Sequence, residues 1–142
     1  MSKALLVFSV AFLTSCASTF NMPVAERSRS YQATSGEVWK AAIAAVDDVG
    51  LALTESEPEH GRIRARKGGS FWDLKGHELL IVVRDLGDGR IRVHANAETV
   101  TEDRVVDFGS SKSMMREYLE ALDACMREVS SDTDSSAAPK PR

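Results

Sequence analysis

The stretch TSGEVWKAAIAAVDDVGLAL, residues 34–53, changes its hydrophobic period part-way along, and that change decides the fold class. Thr34 and Glu37 stand in the T-x-x-E order of a capping box, where the Thr side chain accepts the Glu37 N–H and the carboxylate reaches back to the Thr34 N–H. Val38, Trp39, Ala42, Ile43, Val46 and Val49 then recur at helical spacing, which predicts a helix with one apolar stripe. Gly50 is placed to end it in the left-handed conformation, with Leu51 as the apolar contact beyond. From Leu51 the period is 2, since Leu51 and Leu53 alternate with Ala52 and Thr54.

Beyond this stretch Pro58 to Gly61 mark a turn, and Ile63 and Ala65 alternate with Arg62, Arg64 and Arg66, so a hairpin with one wet face follows the helix. A second hairpin reads ELLIVVRDL (78–86), GDG (87–89) and RIRVHANAE (90–98). Ser30 to Ala33 is short enough for an edge strand. Met115, Tyr118, Leu119, Leu122, Cys125, Met126 and Val129 form the stripe of a last helix that starts in the Ser-rich stretch 110–113. Hairpins force antiparallel pairing, and both helix stripes must be buried on the sheet's single apolar face. The expected fold is therefore α+β: an antiparallel sheet of about five strands with two helices on one face, in the order β-α-β-β-β-β-α.

The chain begins differently. Lys3 precedes the apolar run ALLVFSVAFL (4–13), followed by Thr14, Ser15 and Cys16. A charged start, a short apolar stretch and small residues are the layout of an export signal. The run is half the roughly 20 residues that a membrane span needs. Leu13, Thr14, Ser15 and Cys16 resemble the lipobox of bacterial lipoproteins. That resemblance implies cleavage before Cys16, a diacylglyceryl group on its sulfur and acylation, such as with palmitate, of the new amino terminus. Several chains on one residue, at roughly 0.8 kcal/mol per buried methylene, make release negligible. Ala17 and Ser18 follow, with no Asp after the cysteine, which by the same resemblance implies the outer membrane, facing the periplasm.

The expected organisation is a signal over 1–15, the lipidated Cys16 with a flexible tether to 29, one domain over 30–129 and a disordered tail over 130–142. Residues 17–29 show no period of 2 or 3.6, and such a tether spans roughly 20 Å. The tail SSDTDSSAAPKPR has too little apolar surface to bury. A net charge of −3 argues against nucleic acid as a partner. Lipidation consumes one of the two cysteines and leaves Cys125, on a helix stripe, as a core residue with reactivity the lesser reading.

Export together with this layout resembles the helix-grip domains of the C lipoprotein of the outer-membrane β-barrel assembly machine and of many small envelope lipoproteins. The likeness runs from Tyr31 to Val129 and rests on GEVWKAAIAAVDDVGLAL (36–53), GRIRAR (61–66) and DFG (107–109). None of these segments is catalytic in those families. One domain and a short tether do not imply membership of that machine.

Chemistry-bearing residues are sparse. His60, His77 and His94 have no metal-ligand spacing, and no G-x-S-x-G elbow occurs, so neither a metal site nor a nucleophilic triad is expected. KGGS (67–70) lacks the rest of a phosphate loop and reads as a turn, while DFG reads as packing and turning before the last helix. No catalytic residue and no cofactor are expected. Arg62, Arg64, Arg66, Arg90, Arg92 and His94 share the sheet's polar face by alternation, with Glu55, Glu57, Glu78, Asp85 and Glu98 near enough to neutralise much of it. The strand 78–86 has branched aliphatics on both faces, so Leu80 and Val82 need a cover. That cover is either arginine stems and the Phe71-Trp72 loop, or another envelope protein docking on Phe71, Trp72, Leu80, Val82 and Arg92. The expectation is a non-catalytic, membrane-anchored envelope lipoprotein that binds a protein or peptidoglycan partner. The alternative is a small-ligand or lipid carrier using a groove between sheet and helices.

Overall fold

A computed structural model of the chain describes residues 22–67, 76–100 and 110–136. Its strands are β1 (Ser28–Gln32), β2 (Leu51–Glu57), β3 (Arg62–Lys67), β4 (Gly76–Asp85) and β5 (Arg90–Val100), and its long helices are α1 (Ser35–Asp48) and α2 (Ser110–Ser136). All neighbours pair antiparallel in the order β1-β5-β4-β3-β2. Both helices cover one face, in agreement with the α+β architecture expected from the sequence.

The cap of α1 forms as the sequence predicts. Thr34 Oγ1 accepts from the Glu37 N–H at 3.3 Å, and Glu37 Oε2 accepts from the Thr34 N–H at 2.8 Å. Those hydrogen bonds, the Thr34 side chain's first, hold the Glu37 carboxyl below its ordinary range. At the other end Gly50 takes a φ of +67° and its N–H bonds the Asp47 carbonyl at 2.9 Å. The buried stripe of α1 is smaller-sided than expected: Val38, Ala41, Ala42, Ala45 and Val46 are buried, whereas Trp39, Ile43 and Val49 pack at its margin. Small residues let α1 lie close to α2, where Tyr118 donates from its hydroxyl to the Ala42 carbonyl at 3.4 Å.

The core between the layers consists of Ile63, Ala65, Leu79, Ile81, Val83, Ile91, Val93, Ala95 and Ala97 from the sheet, facing Met114, Met115, Tyr118, Leu119, Leu122 and Met126 from α2. The β4 ambiguity thus resolves with Leu79, Ile81 and Val83 inward and Leu80 and Val82 outward. Ile81 pairs with Ile63 and Ala95, so the inward set of three strands forms one continuous row.

Three features depart from the sequence reading. The folded domain starts before residue 30: Met22 is only 6% exposed and joins the core, Val24–Glu26 form a short 3₁₀ helix, and β1 begins at Ser28. These residues show no period because only Met22 is buried, while Pro23 to Glu26 are exposed and form a short turn of helix. Secondly, α2 runs on to Ser136, so the tail is helical to that point. Adding a residue to an existing helix requires no new nucleus, and the Ser130 and Ser131 hydroxyls donate back to the Met126 and Glu128 carbonyls. Thirdly, Leu53 is 45% exposed although it stands opposite the buried Ala65; β2 is an edge strand and slips register just after it.

That slip is a bulge at Thr54. Residues 51–53 pair with 67–65, but Glu55 pairs with Arg64 and Glu57 with Arg62. Without the extra residue Glu55 would stand opposite Ile63, on the core side. The bulge turns two carboxylates onto the outer face, where the arginines are.

Candidate functional site

Among the described residues no helix covers the outer face of the sheet, and its charges sort into two halves. On the β2–β3 side, Arg62 pairs with Glu57 at 2.6 Å, and Arg64 with Glu55 at 2.7 Å and Glu78 at 2.9 Å. The Arg62 hydrogen bond is the main cause that holds the Glu57 carboxyl below its ordinary range. This half is largely the salt-bridged face that the sequence suggests, although Arg66 makes no ion pair among the described residues.

The β1–β5–β4 side is different. Arg84 and Arg92 stand directly opposite each other in the β4–β5 ladder, and Arg92 stands opposite Ser30 on β1. Among the described residues neither Arg84, Arg92 nor Arg27 makes an ion pair. Asp85, which the sequence offers as a counter-charge, accepts instead from the Gly87 N–H in the β4–β5 turn, and Asp88 in that turn binds Arg90. The side chain of Glu98 lies outside the described residues. Arg27 Nε is shut off from solvent and has no hydrogen-bond partner.

His94 sits among these arginines, half-buried, with Nδ1 at 2.9 Å from the Ser28 hydroxyl. Burial foremost, then Arg27, Arg84 and Arg92, push its pKa below the ordinary histidine value, so the ring is neutral at pH 7. A groove of about 360 Å³ opens here, with Val24, Val82 and Leu86 as apolar lining and Arg84, Arg92 and His94 as polar lining.

Of the residues singled out from the sequence, Val82, Arg92 and His94 line this groove, and Leu80 is on the same face, half-buried between Arg64 and Asn96. Phe71 and Trp72 lie outside the described residues, as do Leu13, Thr14, Ser15 and Cys16, KGGS beyond Lys67, and DFG. Sequence reasoning missed Arg84 and Arg27. Alternation from Leu80 and Val82 places Arg84 on the outer face, so its position was legible; that of Arg27 depends on how the chain enters β1.

Elsewhere the polar groups knit the fold. Asp123 on α2 accepts from the Tyr31 hydroxyl at 2.6 Å and from Arg29 Nε at 2.9 Å, which ties the edge strand β1 to the helix layer. A hollow beside them has its carboxylate already taken by those two donors. The buried Cys125 thiol points at Asp48 at 3.4 Å, and burial with that carboxylate pushes it up to about 11, so thiolate is scarce at neutral pH. His77 meets the buried Ser111 at 3.3 Å, joining the start of β4 to that of α2, and His60 lies exposed in the β2–β3 turn. Among the described residues no three His, Cys, Asp or Glu side chains gather as metal ligands, and no helix is long and apolar enough to cross a membrane.

No protein-family model matches the chain, and no curated protein matches it. Solved structures do. A chain in the crystal structure of the adenylate sensor from AMP-activated protein kinase, in complex with 5-aminoimidazole-4-carboxamide 1-β-D-ribofuranotide, aligns with a TM-score of 0.52 at 10% identity, covering 68% of this chain and 94% of that one. At that identity the likeness concerns the fold.

Proposed function

We propose that this chain is a non-catalytic envelope lipoprotein, anchored through lipid on Cys16 in the outer membrane and facing the periplasm, whose open sheet face binds an envelope partner. The observation that carries the reading is the Leu13-Thr14-Ser15-Cys16 sequence directly after a short apolar run, six residues ahead of the first core residue, Met22. Six residues reach no further than about 20 Å even when fully extended. A domain on so short a lead stays beside the bilayer. Its outer face then lies near the surface, and among the described residues the Arg84–Arg92 groove, with Val82 beside it, is where two cations without an ion pair stand directly opposite each other. The carrier reading gains no such support, because Ile63, Leu79, Ile81, Met115, Tyr118, Leu119 and Leu122 fill the space between sheet and helices with no exposed surface.

Replacing Cys16 by alanine is the test. Wild type is expected to incorporate labelled palmitate and partition into detergent, and Cys16→Ala to accumulate as an unlabelled precursor. Equal labelling of the two would contradict the anchor.

A further inference from the structure

The pairing of Arg84 with Arg92 needs an explanation, because like charges directly opposite in an antiparallel ladder are destabilising. Among the described residues the nearby carboxylates do not relieve it: Glu55, Glu57 and Glu78 pair with Arg62 and Arg64 of β3, and Asp85 and Asp88 bond within the turn. Arg27 adds a third positive charge that acts on the same histidine. An anion from outside the chain would relieve all three. Guanidinium groups match phosphate oxygens through paired N–H donors, so phosphate suits the site better than a single-point anion.

Apolar lining narrows the choice. A free inorganic anion has no use for Val24, Val82 and Leu86, whereas an amphiphile covers them with its first acyl carbons. The groove also belongs to the anchored end of the domain, since Val24 and Ser28 follow Cys16 by eight and twelve residues. We propose that the groove holds the phosphate head group of an anionic membrane lipid, with Arg84 and Arg92 on the phosphate, Arg27 adding positive field beside His94, and Val24, Val82 and Leu86 against the adjoining acyl segment. The choice of a lipid as the source of the phosphate rests on the anchoring proposed above; the anion site itself does not.

His94 reports on the groove. A short-chain phosphatidylglycerol, kept below its micelle concentration, is titrated into the purified full chain while the His94 ring resonances are followed against pH. The chain is held in phosphatidylcholine nanodiscs if it carries lipid, and free in solution if it does not, so failure of the anchor changes the sample and leaves the readout intact. An anion among the arginines favours the imidazolium, and the His94 midpoint is expected to rise by about one pH unit. Short-chain phosphatidylcholine is expected to leave it unmoved. The shift should vanish in the Arg84→Gln/Arg92→Gln variant, whose exposed positions and relieved repulsion keep the fold. It should vanish also in Ser30→Glu, which sets a carboxylate of the chain itself opposite Arg92. An unmoved His94 with phosphatidylglycerol, a shift that survives in both variants, or an equal shift with inorganic phosphate would overturn the proposal.

Discussion

Gly61→Ala is expected to destabilise the domain by about 2–5 kcal/mol, a large part of the roughly 5–15 kcal/mol available to a domain of this size. Gly61 lies between β2 and β3 with φ at +61°, where an L side chain costs about 1–2 kcal/mol. A Cβ there would also run into the Val83 backbone carbonyl. Backbone is slow to give way, so the approach of the turn to β4 must open. With it goes the Val83 N–H to Gly61 carbonyl bond, now 2.7 Å, whose loss leaves a buried group unpaired for about 1–3 kcal/mol more. Gly87→Ala is the control: its φ is +76° but a Cβ meets nothing within 4 Å, so only the conformational part applies. Urea unfolding of the two variants should separate them by about 1–3 kcal/mol. Equal losses would show that the close approach of the turn to β4 carries no weight.

Adjacent residues on β4 give the second large contrast. Ile81 has no exposed surface and sits in the row formed by Ile63, Ile81 and Ala95, so Ile81→Ala should cost about 2–5 kcal/mol, since packed neighbours do not collapse fully into the space left. Val82 faces the groove and is half-buried, so Val82→Ala should cost less than about 1 kcal/mol. The same denaturation experiment compares them. A branched aliphatic whose removal barely affects stability is held there by something other than folding, which is what a groove for an apolar segment requires. If Val82→Ala proved as harmful as Ile81→Ala, the outward face of β4 would be core, and the groove would lose its apolar floor.

What the sequence disclosed was local. The Thr34–Glu37 cap, the Gly50 stop and the GDG turn each involve residues within a few positions of one another, so pattern alone places them. The period of 2 placed His94 and Arg92 on the outer face for the same reason. Tertiary events were harder to read. A one-residue bulge at Thr54 leaves no mark in an alternating stretch, yet it decides that Glu55 and Glu57 meet the arginines of β3. With those carboxylates committed to one half of the face, Arg84 and Arg92 of the other half have no ion pair among the described residues, an asymmetry that counting charges along the strands hides. Asp123 gave no signal either, because its partners Tyr31 and Arg29 lie 92 and 94 positions away. Met22 and Val24 looked like tether for want of a period, although one enters the core and the other lines the groove.

The proposed lipid anchor and head-group site together would place the groove edge of the outer sheet face against the membrane. Spin labels at two positions test this most directly: Leu86→Cys in the groove, and Lys40→Cys on exposed α1 in the opposite layer. Cys125, buried and with its pKa pushed up to about 11, should take little label at neutral pH. In native membranes the label at 86 should be relaxed by oxygen dissolved in lipid and shielded from a water-soluble relaxing agent, and the label at 40 should show the reverse. Equal aqueous access at both positions, or lipid contact at 40 in place of 86, would contradict it.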